Sequence, residues 1–305
     1  MHLPVFMEHR SRLLALAYRM LGSRADAQDV VQDAWLRWSA CKLDELDQPA
    51  AYLTRITTHL CLDKLRSAHT RREQYIGICL PEPLSANDDC MEPEGLTEKT
   101  QLVSYGWLLA LQRLGPLERA AFLLREVFDV DYAEISQIVQ RSPLACRQLV
   151  SRSKRRLQQE PSSLLSQPKN AETLSKAFIA ALESGNTDEL AKLLAEDVIY
   201  MADGGGQASA LLAPLTGARP VSRLIQGIWQ NAKKTQIKLQ MQVINGMPGI
   251  LFWQQDRLYM SVAIASNHAE QISALYVMRN PNKLTHLADQ PCNLDKSSQA
   301  QRLAQ

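Results

Sequence analysis

Residues 143–157 hold five cations, Arg147, Arg152, Lys154, Arg155 and Arg156, and no acid. Arg147, Gln148, Ser151, Arg152, Lys154 and Arg155 share one helical face, while Cys146, Leu149, Val150 and Leu157 recur at ~3–4 residue spacing on the other. Guanidinium and carboxamide groups near a helix start match the hydrogen-bonding edges of base pairs, and later cations suit phosphate oxygens. The residues before them complete a helix-turn-helix. Asp131 is placed to cap a short helix, Tyr132–Val139; Gln140-Arg141-Ser142 makes the turn; Ser142 and Pro143 start the second helix. The pattern implies duplex DNA as a ligand. Alone it does not say what the binding achieves.

A second set of candidates lies nearer the start. Asp26, Asp29 and Asp33, with Gln32, fall on one face of a predicted helix. That spacing fits a solvated face complementary to the helix dipole, and equally a surface for a cationic partner. In the last third, Asp197, Asp203, Asp256, His268 and Glu270 could move protons if a pocket enclosed them. Asp203-Gly204-Gly205-Gly206 lacks the spacing of a phosphate loop and reads as a flexible loop that docks elsewhere.

The elements that must position these groups fall into blocks. With 305 residues the chain has room for two or three domains. Net charge is only +2, so the basic character is local: residues 73–104 carry seven acids against Lys99. No apolar run reaches the ~20 residues of a membrane span, and no signal peptide is evident at Met1-His2-Leu3-Pro4. The six cysteines show no metal-ligand spacing and read as reduced cytosolic thiols, with Cys146 facing inward. No cofactor or metal is expected, and the protein is expected in the cytoplasm. Residues 3–72 read as all-α, with Gly22 ending one helix, Ser23 or Asp26 opening the next, and Pro49 opening a long third. Residues 73–97 read as an acidic, proline-containing linker without a core, 98–158 as a second all-α domain ending in the helix-turn-helix, and 159–170 as another linker. Residues 171–290 read as α+β: helices at Ala171–Ser184 and Asp188–Ala195, then strands at Val198–Met201, Ile237–Ile244, Ile250–Gln254, Leu258–Ile264 and Ile272–Met278. Gly246-Met247-Pro248-Gly249 is placed in a hairpin turn, and 291–305 in a polar tail.

Motifs across nearly the whole chain carry a family resemblance. Arg24-Ala25-Asp26-Ala27-Gln28-Asp29-Val30-Val31-Gln32-Asp33-Ala34-Trp35 resembles the polymerase-binding helix of extracytoplasmic-function sigma factors of the sigma-70 family. Tyr52-Leu53-Thr54-Arg55-Ile56 with Cys61-Leu62-Asp63-Lys64-Leu65-Arg66 and Arg71-Arg72 resembles their promoter −10 helix, and Leu114–Arg119 with the helix-turn-helix their −35 reader. Leu80-Pro81-Glu82-Pro83, Asp203-Gly204-Gly205-Gly206 and Asn280-Pro281-Asn282-Lys283-Leu284 resemble the marks of a subgroup with a fused C-terminal SnoaL-like, nuclear transport factor 2-like cone. Cys79, Gln207 and Asn282 depart from that subgroup, which usually has Trp, a basic residue and Asp there.

The resemblance implies a non-catalytic factor that binds core RNA polymerase and directs promoter-specific initiation. Asp26, Asp29, Gln32 and Asp33 would meet the polymerase. Arg55, Lys64, Arg66, Arg71 and Arg72 would follow the opened −10 strand, with Tyr52 or His59 stacking a base and the Lys42–Gln48 loop holding an extruded one. Asp63 is expected to pair with a neighbouring Arg. Arg147, Gln148, Ser151, Arg152, Lys154 and Arg155 would contact the −35 duplex. Leu80–Pro83 is expected to rest on the third domain near the other two subgroup motifs, letting that domain regulate in cis and leaving room there for an unidentified small ligand or protein. Two other readings remain open: a DNA-binding regulator independent of polymerase, and a SnoaL-like enzyme with a DNA-binding front end.

Overall fold

The computed structural model describes residues 2–41, 48–72, 75–91, 103–159 and 171–288. Contacts divide the chain into two units. The first holds residues 1–75 and 80–166, the second 76–79 and 167–305.

The first unit is built from helices whose ends follow local chemistry. Helix α1 (His2–Leu21) stops at Gly22, whose φ of 71° turns the chain left-handed while its N–H still reaches Tyr18 O. The Ser23 hydroxyl then caps α2 (Arg24–Ser39) by accepting from Asp26 N at 3.2 Å. Helix α3 (Pro49–Arg72) opens on proline, as its missing N–H allows. Helices α4 (Tyr105–Gln112) and α5 (Pro116–Phe122) are separated at Gly115, and α5 runs into a π-helical turn at Leu123–Val127. Helix α6 (Tyr132–Val139) and helix α7 (Pro143–Gln158) are joined through Gln140 at φ 53°. Asp131 makes no side-chain cap on α6, contrary to expectation; it lies 3.8 Å from Arg125 instead. Ser142 does cap α7, accepting from Ala145 N.

One apolar cluster runs through α1–α7, with Trp38 fully buried and Trp35 edge-on against Phe6. Buried arginines tie backbone to backbone inside it: Arg119 donates to Met20 O, and Arg19 donates to Ala15 O, its pKa pushed down to about 10 by burial. The segment expected to lack a core is packed where it is described. Leu80, Leu84, Cys90 and Met91 are buried, so the prolines rigidify a segment laid on helices.

The second unit is a mixed six-stranded sheet in the order β2-β1-β6-β5-β4-β3. Helices α8 (Ala171–Ser184) and α9 (Thr187–Leu193) precede β1 (Leu194–Asp203), which starts where the sequence suggests more helix. After β2 (Leu215–Thr216) comes α10 (Ala218–Ala232), a helix the sequence reading passed over. Its signal was present: Val221, Leu224, Ile225, Ile228 and Trp229 recur at helical spacing, interrupted by Pro220 and Gly227. Strands β3 (Ile237–Ile244) and β4 (Met247–Gln254) are joined by a two-residue Asn245-Gly246 turn, both residues at positive φ, as primed hairpin turns require. The turn therefore lies earlier than Gly246–Gly249. Met247, Pro248 and Gly249 belong to β4, and pairing with β5 (Arg257–Ser266) starts only at Gly249, so Pro248 has a single strand neighbour. Strand β6 (Ile272–Met278) is buried throughout, parallel to β1 and antiparallel to β5. Helix α11 (Pro281–Ala288) closes the described chain and packs on β5.

Candidate promoter- and polymerase-facing site

On α7, Arg147, Gln148, Ser151, Arg152, Lys154 and Arg155 are all exposed, while Cys146, Val150 and Leu157 are buried. Gln148, Ser151 and Arg155 have no partner within the described residues. Arg147 lies over the Tyr132 ring at 5.2 Å. Lys154 meets Glu126 at 2.7 Å, and Arg152 and Arg156 converge on Glu118 at 3.9 and 2.6 Å. The cations are about half exposed, at 56% for Arg152 and Arg156 and 48% for Lys154, so they stay accessible to phosphates although Glu118 and Glu126 are mostly covered.

The face of α2 is also presented. Asp29, Gln32 and Asp33 are exposed, and Asp26 is half-exposed. Its N-terminus is held by a residue the sequence assigned elsewhere. The Glu82 carboxylate accepts from Arg24 N at 2.8 Å and Ala25 N at 3.2 Å, Glu82 N donates to Gly22 O, and Tyr18 Oη donates to Glu82 O. An anion on the first free N–H groups of a helix stabilises that helix. The Leu80–Pro83 motif thus groups with the first unit, and Ile76–Cys79 group with the second.

On α3 the expected −10 residues separate. Arg55 and Arg66 are exposed and about three helical turns apart, on one side. Lys64 lies roughly opposite, facing α2, and binds Asp26 Oδ1 at 2.6 Å and Asp29 Oδ2 at 3.0 Å. Burial alone would lower the Lys64 pKa, but the hydrogen bonds and charges of the two aspartates raise it above the ordinary lysine value. Lys64 therefore faces the acids of α2 and not the side of α3 that carries Arg55 and Arg66. The two stacking candidates are also engaged: Arg55 covers the Tyr52 ring at 5.2 Å, and His59 Nε2 is 2.6 Å from Ile138 O on α6. Asp63 pairs with Arg66 at 3.2 Å, as expected. Residues 42–47 of the −10 loop, and the side chains of Arg71 and Arg72, lie outside the described residues.

In the second unit, two subgroup motifs meet. Asp203 is fully buried; its Oδ2 takes a hydrogen bond from Lys283 at 2.8 Å, its Oδ1 one from Gly205 N at 2.9 Å, and its O those of Arg279 N and Asn280 N. Gly205 has φ +59°, and a Cβ there would collide with the Asn280 carboxamide. The loop read as flexible is instead pinned onto the start of α11. Lys283 Nζ also lies 3.3 Å from Cys79 Sγ, which brings the 76–79 segment to the same place. Pro281 opens α11 and Leu284 is buried beneath it.

The cavity between α8, α10 and the sheet is apolar and about 30 Å³, lined by Phe178, Tyr200, Trp229, Phe252, Tyr259 and Val277 among others. None of Asp197, Asp203, Asp256, His268 or Glu270 lines it. Its ionisable groups are tyrosines, both raised by burial, Tyr200 to about 12.

Cysteine reactivity follows from the same burial. Cys61, Cys90 and Cys146 are buried, and desolvation pushes each thiol above its ordinary value; Cys41 and Cys79 are half-buried. Iodoacetamide on the folded full-length protein at about pH 8 should label Cys41 and Cys79 well before those three. Native Cys146 labelling as fast as Cys79 would contradict its place in the core.

A Sigma-70 region 2 family model matches residues 5–71, and a Sigma-70, region 4 model matches residues 107–157. Over 295 residues the chain is 32% identical to the ECF RNA polymerase sigma factor SigJ of Mycobacterium tuberculosis, covering 93% of this chain and 94% of that protein. A probable ECF RNA polymerase sigma factor, SigI of the same species, is 29% identical, covering 92% of this chain and 93% of that one. The crystal structure of SigJ superposes with a TM-score of 0.71 at 29% identity, covering 90% of this chain and 95% of the other.

The chain belongs to the extracytoplasmic function (ECF) RNA polymerase sigma factors. It directs promoter-specific transcription initiation with core RNA polymerase, and carries two helical sigma regions plus a C-terminal SnoaL-like α+β domain. Among the described residues no helix is long and apolar enough to cross a membrane.

Proposed function

We propose that residues 3–72 bind core polymerase through Asp26, Asp29, Gln32 and Asp33 and the opened −10 strand through Arg55 and Arg66, with Arg71 and Arg72 at the end of α3 adding further cations. Residues 98–158 read the −35 duplex through α7, and residues 171–290 regulate the first two domains in cis without catalysis. The observation that carries this is the exposed, acid-free face of α7, whose Gln148, Ser151 and Arg155 have no partner among the described residues, in a helix capped by Ser142 and anchored by buried Cys146, Val150 and Leu157.

Two features support the finer parts. The His59–Arg66 stretch of α3 lines a crevice with Ile138 and Gln140 of the helix-turn-helix domain, so a strand following that side requires the two helical domains to part. The described apolar cavity of the third domain, about 30 Å³, is lined by hydrophobic side chains and two tyrosines, which supports a regulatory reading of that domain.

Run-off transcription with core polymerase tests the scheme. Full-length protein should initiate from its selected promoters, and protein ending at Gln167 should initiate to a different extent. Equal output from both, at equal protein level, would remove the regulatory role of the third domain. Duplex binding without initiation would favour a polymerase-independent regulator.

A further inference from the structure

We propose that Lys64 is an internal counter-ion that attenuates polymerase binding: it occupies Asp26 and Asp29, and a cationic polymerase surface must displace it. The inference rests on the reading of α2 as the polymerase-facing helix and adds a residue that sets the strength of that contact. Lys64 Nζ sits between Asp26 Oδ1 at 2.6 Å and Asp29 Oδ2 at 3.0 Å, on a different helix from both. It points away from the Arg55–Arg66 side of α3, so its ammonium serves the acids and not the −10 strand.

The energetics suit a competitor. Lys64 retains 31% of its side-chain exposure, Asp26 50% and Asp29 67%, so the pair is weak enough to exchange for another cation. Asp33, one turn further along α2, has no partner in the described residues and stays available for first contact. While Lys64 is seated, its single charge is shared by Asp26 and Asp29, so the two acids together present less negative charge to a partner. Once displaced it lies at the rim of the interface, where it repels incoming cations. Both effects lower affinity, and both fade with salt.

The test is a titration of bacterial core RNA polymerase with the full-length protein at low and high ionic strength. Lys64→Gln and Lys64→Met remove the charge and retain much of the stem; Lys64→Arg keeps the charge. The two neutral variants should bind core roughly two- to fivefold tighter at low salt, a gain that shrinks as salt rises, while Lys64→Arg stays near wild type. In an Asp26→Asn/Asp29→Asn background, Lys64→Gln should lose most of its effect. Unchanged or weaker binding by the two neutral variants would overturn the proposal. Asp33→Asn separates this from failure of the parent reading: Asp33 does not touch Lys64, and if its loss leaves core binding intact, α2 is not the polymerase surface.

Discussion

Lys283→Met should destabilise the C-terminal unit by about 3–5 kcal/mol, because it removes the ammonium that hydrogen-bonds the fully buried Asp203 carboxylate. The pair is enclosed on both sides, with 17% side-chain exposure at Lys283 and none at Asp203. Lost charge compensation, not lost packing, should dominate, since methionine preserves most of the volume. A second substitution distinguishes the two. Asp203→Asn in the Lys283→Met background removes the buried charge while keeping an acceptor for Gly205 N, and should restore a large part of the stability. Urea dependence of backbone hydrogen exchange in residues 171–288, which report this unit alone, would measure it. A loss below about 1 kcal/mol for the single variant would mean that water or another cation reaches Asp203.

Arg147→Ala should weaken promoter binding by about 1–3 kcal/mol, roughly 5- to 150-fold, and relax preference at one −35 position. Arg155→Ala should act differently. It should weaken all sequences alike and flatten the dependence of log K on log salt by ~0.9 if it neutralises one phosphate. The structure supplies the contrast: Arg147 lies near the helix start over the Tyr132 ring, and Arg155 stands exposed in the last turn with no partner among the described residues. Binding of holoenzyme to a promoter and its single-base variants at several salt concentrations reads both effects. Loss of affinity by Arg147→Ala with the base preference unchanged would reassign that residue to the phosphates.

Much of the secondary structure was legible because it depends on local periodicity and capping chemistry. Tyr132–Val139, Ala171–Ser184, Ile237–Ile244 and Ile272–Met278 start and stop where apolar spacing places them. The α10 helix and the Asn245-Gly246 turn were equally written in the residues, in Val221–Trp229 spacing and an Asn-Gly pair. Both were obscured by competing punctuation, Pro220 and Gly227 in one case and Pro248-Gly249 in the other. The linker was misjudged for another reason. Prolines and acids are the composition of an unfolded segment, and nothing local shows that Leu80 and Leu84 will find apolar cover.

By itself the sequence determined which residues make helices and strands, that α7 turns its cations to solvent, and that sigma regions stand before an α+β domain. The first two follow from side-chain periods of about 3.6 and 2, which fix what each face buries, and the sigma regions from the family resemblance of their motifs. Only the tertiary structure decided the polar partners: Lys64 with Asp26 and Asp29, Glu82 with the start of α2, and Lys283 with Asp203. A period tells which way a charge points but not which distant charge it meets. Those pairs join residues 35 to 80 positions apart, and packing of the helices and strands between them brings them together.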